Sequence, residues 1–149
     1  MRSVVQRVTR ASVTVEDRVV GQIGRGLLVL VGVAEGDGPA DIEYTASKIQ
    51  DLRIFEDEQG RMNRSAGEAG GAVLLVSQFT LLGDVRRGRR PAFDQAAAPE
   101  AARSAYEALL ARLRTSGLVI EAGVFQAHMQ VDLVNDGPVT ILLDSRRLF

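Results

Sequence analysis

Between Arg2 and Val15 apolar and polar residues alternate: Val4, Val8, Ala11, Val13 and Val15 sit among polar neighbours, with Ser12 and Thr14 interleaved. A period of two with a slip at Arg7-Val8 predicts one long, half-buried strand carrying a bulge. Glu16-Asp17-Arg18 reads as a turn, Val19–Ile23 as the returning strand, and Gly24-Arg25-Gly26 as the next break. Leu27–Val33 is apolar almost throughout, which fits a strand buried on both faces. After a loop at Glu35–Pro39, the residues Ile42, Thr45/Ala46, Ile49 and Leu52 fall at helical spacing. Arg53-Ile54-Phe55 predicts a short strand that ends at Asp57-Glu58-Gln59-Gly60.

Ala72–Val76 is a second buried strand, running straight into Ser77-Gln78-Phe79-Thr80-Leu81. Gly83–Pro91 is a basic loop. Pro99-Glu100 opens a second helix, with a proline and an acid in its first turn. Tyr106, Leu109, Leu110 and Leu113 form its buried stripe, and Gly117 stops it. Leu118–Val124, Met129–Val134 and Val139–Leu143 predict three more strands, the last two flanking a tight connection at Asn135-Asp136-Gly137-Pro138. Seven or eight strands with two inserted helices predict an α+β fold in one domain over residues 1–149, its mixed or antiparallel sheet curled toward a barrel. A simple alternation of strand and helix is not the pattern.

Composition narrows the chemistry. Of 149 residues, 46% are hydrophobic and 25% charged, ordinary for a globular chain that buries a core without staples. Apolar runs such as Leu27–Val31 fall far short of the roughly 20 residues a membrane helix needs. Met1–Arg7 has no signal-peptide apolar core, so a cytoplasmic protein is expected. There is no cysteine and one histidine, His128. That excludes disulfides, thiol nucleophiles and zinc sites built on Cys/His clusters. No carboxylate cluster points to another metal, and no cofactor is expected. Net charge is −1, so any grip on nucleic acid must come from local clustering.

Three constellations can carry chemistry. Ser77 stands where a buried strand leaves the sheet, with Thr80 three residues on. Such a position aims side chains and main-chain N–H groups into a pocket, or its hydroxyls satisfy turn backbone. A Ser-His-Asp hydrolase would need His128 as its base. Asn135-Asp136-Gly137-Pro138 is either a hairpin turn or a rigid element whose Gly-Pro bond is cis. Arg86-Arg87-Gly88-Arg89-Arg90 either grips phosphates or is a solvated charged loop, and Arg61, Arg64, Arg146 and Arg147 are candidates to extend it.

Taken together, Ser77-Gln78-Phe79-Thr80-Leu81 and Asn135-Asp136-Gly137-Pro138-Val139-Thr140 resemble the two signature motifs of the D-aminoacyl-tRNA deacylase family, the D-tyrosyl-tRNA deacylases. Gln6-Arg7-Val8, Ala11-Ser12-Val13, Arg53-Ile54-Phe55, Gly60-x-Met62-Asn63, Arg90-Pro91 and Met129-Gln130-Val131 are similar too. The resemblance runs from Met1 to Leu143. It implies a homodimeric editing hydrolase that cleaves the ester between a D-amino acid and the 3′-terminal adenosine of tRNA, with no membrane or DNA partner. Ser77, Gln78, Phe79 and Thr80 would form the catalytic strip. Gly137 and Pro138 would enter the partner's pocket through a cis bond. Arg7, Phe125, Ala127, Met129 and Asn135 would support the site, and Arg86, Arg87, Arg89 and Arg90 would bind tRNA. Two positions depart from the family: Gln126 stands where a glycine is usual, and Ala92 where a serine is. Asp144–Phe149 extends past the typical end.

An aminoacyl ester is already activated, so its hydrolysis needs positioning and oxyanion stabilisation more than a strong nucleophile. Chirality is the harder task. A fixed main-chain wall on the path of an L side chain rejects it by clash, since no rotamer can swing away. Glycine would pass such a wall, which agrees with the family's action on glycine mischarged to alanine tRNA. The attack could come from Thr80 or Ser77, or from water assisted by the terminal 2′-hydroxyl, the route favoured here. The competing readings are a non-catalytic RNA-binding module and a small-molecule hydrolase using Ser77 and His128. Only 5% of residues are aromatic, with no stacking motif of the kind RNA modules use.

Overall fold

A computed structural model describes all residues, Met1–Phe149. The chain folds in the order β1 (Arg2–Val15), β2 (Arg18–Ile23), β3 (Gly26–Gly32), α1 (Pro39–Asp51), β4 (Phe55–Glu56), β5 (Met62–Arg64), β6 (Ala72–Ser77), a 3-10 turn (Phe79–Leu82), α2 (Pro99–Arg114), β7 (Ile120–Ala122) and β8 (Gln130–Asp144). The main sheet runs β2-β1-β3-β6-β7, with β8 on the free side of β1. It curls until β2 approaches β7: a Cβ at Gly21 would lie 2.7 Å from the Ala122 carbonyl oxygen. The result is a nearly closed, barrel-like α+β fold. No helix is long and apolar enough to cross a membrane.

The two faces of the curled sheet hold two cores. Leu27, Val29, Val31, Val73 and Leu75 face α1 and α2, whose buried Ala46, Ile49, Tyr106, Leu109 and Leu113 complete the larger cluster. Leu28, Leu74 and Val76 point the other way, into the curl, with Val8, Ala11, Val13 and Ile23. Double burial explains why β3 and β6 read as unbroken apolar runs. They pair in parallel, and β6 pairs in parallel with β7. Each pair is joined across a helix, so helix crossovers are present after all, grafted onto an antiparallel half built from β1, β2, β3 and β8. Close approach of β3 and β6 needs Gly26, where a Cβ would lie 1.9 Å from the Ala72 carbonyl oxygen.

Several local expectations shift. Val5, not Val4, faces the interior, along with Ser3 and Arg7, because the β1–β8 ladder slips on either side of Val8. The strand expected at Arg53–Phe55 is β4, only Phe55–Glu56, and it pairs with β5, which the apolar pattern did not reveal. The largest correction concerns Asn135–Pro138. It is no hairpin: β8 continues past it in the same direction, antiparallel to β1 on both sides. Gln6 faces Thr140 and Val8 faces Asn135, so two steps along β1 span five along β8. The surplus bulges out as a loop opposite Arg7.

Candidate functional site

The chain stays tied to β3 one residue beyond β6, where the Gln78 N–H donates to the Val31 carbonyl at 2.7 Å. The 3-10 turn then packs over Gly32, whose missing Cβ would otherwise meet Leu82 Cδ2 at 2.5 Å and the Gln78 carbonyl at 2.8 Å. Across from Ser77–Thr80 stands the segment Phe125–Met129, and between them lies a cavity of about 760 Å³. Val31 and Val33 line it as well, as do Phe93 and the first turns of α2 at Pro99 and Ala102. None of its lining side chains is titratable. The polar ones are Ser77, Gln78, Thr80 and Gln126. The Gln78 Nε2 donates to Thr80 Oγ1 at 3.1 Å. Phe79 is 58% exposed and meets Phe93 edge-on at 5.0 Å, forming an apolar lip. Such a site can position a ligand and offer N–H and O–H donors. It holds no side-chain base.

Helix α2 braces both walls. The Tyr106 hydroxyl donates to the Leu75 carbonyl of β6 at 3.1 Å, while its ring packs against Phe125 at 5.6 Å. A tyrosine within an apolar helical stripe signals such a buried partner for its hydroxyl. Burial pushes the Tyr106 phenol from 10.0 up to about 12. The folded state therefore holds this proton more tightly than the unfolded one. That stabilisation is complete below pH 10 and disappears as pH rises toward 12. We expect urea denaturation to show roughly 2 kcal/mol of stability lost across this window, with Tyr106→Phe removing most of the slope.

The bulged loop has a support of its own. Arg7 is 6% exposed. Its Nε donates to the Asp136 carbonyl at 2.8 Å and its Nη1 to the Ile54 carbonyl at 2.8 Å. Asn135 pinches the base, accepting from the Val139 N–H at 2.7 Å and donating to the Val139 carbonyl at 3.1 Å. The Gly137-Pro138 peptide is cis. A Cβ on Gly137 would meet Val139 Cγ2 at 2.6 Å. Gly137 and Pro138 do not line the cavity of their own chain, nor do Arg7 and Asn135.

The arginine loop hangs beside the cavity lip, closed by a bridge in which the Asp84 N–H donates to the Ala92 carbonyl at 2.7 Å. Arg86 is engaged by Asp84, with Nη2 to Oδ2 at 2.6 Å, and that guanidinium holds the Asp84 carboxyl down to about 2. Arg87, Arg89 and Arg90 are exposed. Three arginines considered for the patch are occupied elsewhere: Arg64 donates to the Glu68 carbonyl, Arg146 reaches Asp37 and the Glu35 carbonyl, and Arg147 lies over the Tyr44 ring. His128 is exposed and does not line the cavity, so the serine–histidine hydrolase has no geometry here. Gln126 has φ +65°, the left-handed region that glycine occupies most easily. Asp144 belongs to β8 and pairs with Arg2, and Ser145 Oγ donates to Asp41 Oδ1 at 2.6 Å, tying the tail to α1.

Comparison with known proteins follows the same outline. The D-Tyr-tRNA(Tyr) deacylase family matches residues 4–144. A D-aminoacyl-tRNA deacylase of Anaeromyxobacter dehalogenans is 64% identical over 149 residues, covering 100% of each chain. Among solved structures, one described as c-Myc DNA unwinding element binding protein has a TM-score of 0.92 at 44% identity, covering 97% of this chain and 98% of that one. Another, described as a probable eukaryotic D-amino acid tRNA deacylase, has a TM-score of 0.80 at 18% identity over 95% of this chain and 97% of that one, a likeness of fold.

Proposed function

The chain belongs to the D-Tyr-tRNA(Tyr) deacylase family, and from that premise we propose that it is an editing hydrolase acting in the cytoplasm on the ester of D-aminoacyl-tRNA. It releases free D-amino acid and tRNA, also clears glycine mischarged on alanine tRNA, and spares L-aminoacyl-tRNA. The observation that carries this reading is the cavity between Ser77–Thr80 and Phe125–Met129, which offers donors but no side-chain base. That suits an ester already activated for attack. Water attacks the ester carbonyl with help from the 2′-hydroxyl of the terminal adenosine. The N–H groups of Phe79 and Thr80, at the start of the 3-10 turn, face the developing oxyanion.

The working unit is a homodimer. The loop at Gly137-Pro138 enters the partner's cavity and presents main-chain carbonyl oxygens where an L side chain would lie. Support for this comes from a loop braced by Arg7 and Asn135 whose residues are not among the lining of its own cavity. Arg87, Arg89 and Arg90 take the phosphates of the tRNA end, with Arg86 reaching them once it leaves Asp84.

Incubation with D-tyrosyl-, L-tyrosyl- and glycyl-tRNA tests the proposal. The D-tyrosyl and glycyl esters are expected to disappear at least about a hundredfold faster than the L-tyrosyl ester. Equal loss of both tyrosyl esters would overturn the chiral wall. Binding of all three without release would make the protein an RNA-binding module instead.

A further inference from the structure

Gln126 occupies a left-handed backbone position at φ +65°, a conformation that disfavours any side chain. Its side chain is exposed at the cavity rim and has one partner. Arg103 Nη2 donates to Gln126 Oε1 at 3.2 Å. Arginine has donors only, so the amide must turn its oxygen toward Arg103, and its NH₂ is left without a partner in the chain. The other amide lining the cavity, Gln78, commits its NH₂ to Thr80. Gln126 Nε2 is thus the uncommitted amide donor of the cavity lining. Arg103 has two further contacts: its guanidinium lies 4.7 Å from the centroid of the Phe125 ring, and its Nη1 is 4.0 Å from Glu107 Oε1 at the surface.

We propose that Gln126 is a substrate-binding residue whose Nε2 donates to a ring-nitrogen or ribose-oxygen acceptor of the 3′-terminal nucleoside, with Arg103 as its positioning residue. This rests on the deacylase reading above. The amino-acid side chain varies from substrate to substrate while the terminal nucleoside does not, so a fixed donor suits the constant part. A glycine here would relax the backbone but remove the donor.

Steady-state kinetics on D-tyrosyl-tRNA at low and high salt test the assignment. Gln126→Met removes the donor without adding charge. Gln126→Glu removes it but keeps the Arg103 partner. Both are expected to raise KM about 3–10-fold at either salt concentration, with kcat within about twofold of wild type. Arg103→Met raises KM in the same direction, and Arg103→Lys, which retains a donor for Oε1, restores most of the loss. Thermal melting checks that each variant is folded. An unchanged KM in Gln126→Met overturns the assignment. So does a rise confined to Gln126→Glu that vanishes at high salt, since that is charge repulsion against RNA. A wild-type protein that spares D-tyrosyl-tRNA would instead bring down the underlying deacylase reading.

Discussion

D-aminoacyl-tRNA whose terminal residue is 2′-deoxyadenosine is expected to resist this protein, its single-turnover rate falling by about 10²–10⁴-fold, the range a positioned proton-transfer group contributes. Thr80→Ala should keep its rate within about tenfold, because the Thr80 hydroxyl faces only an amide. Its Oγ1 accepts from Gln78 Nε2 at 3.1 Å, and a neutral amide N–H draws no proton from an attacking alcohol. No lining side chain can do so either, since none titrates. His128 stands outside the cavity, so His128→Ala should leave turnover unchanged. Quench-flow or gel separation of charged and uncharged tRNA measures both substrates. A fully active 2′-deoxy substrate together with a dead Thr80→Ala protein would move the attack to the protein hydroxyl.

Arg7→Ala is expected to lower unfolding free energy by about 3 kcal/mol and to reduce the preference for D over L ester at least tenfold. The buried guanidinium bonds the carbonyls of Asp136 and Ile54, each at 2.8 Å. Removing it leaves both oxygens without their donor and opens space beneath the loop. Arg7→Lys keeps the charge but cannot span both carbonyls in one plane, so it should fall between wild type and alanine. Urea denaturation reads the stability, and paired D- and L-tyrosyl-tRNA assays read the preference. A folded Arg7→Ala protein with undiminished preference would show that the loop orients itself.

The fold was legible where the periodicity was strong. Leu27–Val33 and Ala72–Val76 are buried on both faces, and their continuous apolar runs announce it. Both helices begin at their prolines, Pro39 and Pro99. Two-residue β4 and exposed β5 left no periodic mark, because a pattern needs several inward-facing residues to register. Asn135–Pro138 carries turn residues in turn order, and local chemistry alone does not distinguish a reversal from a bulge. The difference lies in β1, whose ladder holds both flanks. At the site, the strips around Ser77 and Phe125 were visible as motifs. Arg103 was not, since an arginine on the solvent side of a helix looks the same whether or not it touches a neighbour. Gln126 was visible only as an unexpected residue, and its backbone conformation belongs to the tertiary structure.

Surface loops usually absorb insertions and deletions, because nothing downstream depends on their length. The segment between Asn135 and Thr140 has less of that freedom. Both of its arms are locked to the same strand, with Val8 opposite Asn135 and Gln6 opposite Thr140. One residue more or fewer would be taken up in the bulge, and it would move the Gly137-Pro138 tip away from the place where the Arg7 guanidinium holds the Asp136 carbonyl. The pinch at the base, where Asn135 bonds both backbone groups of Val139, would be disturbed as well. The stretch that looks most like a spacer is thus the one whose length decides where its tip points.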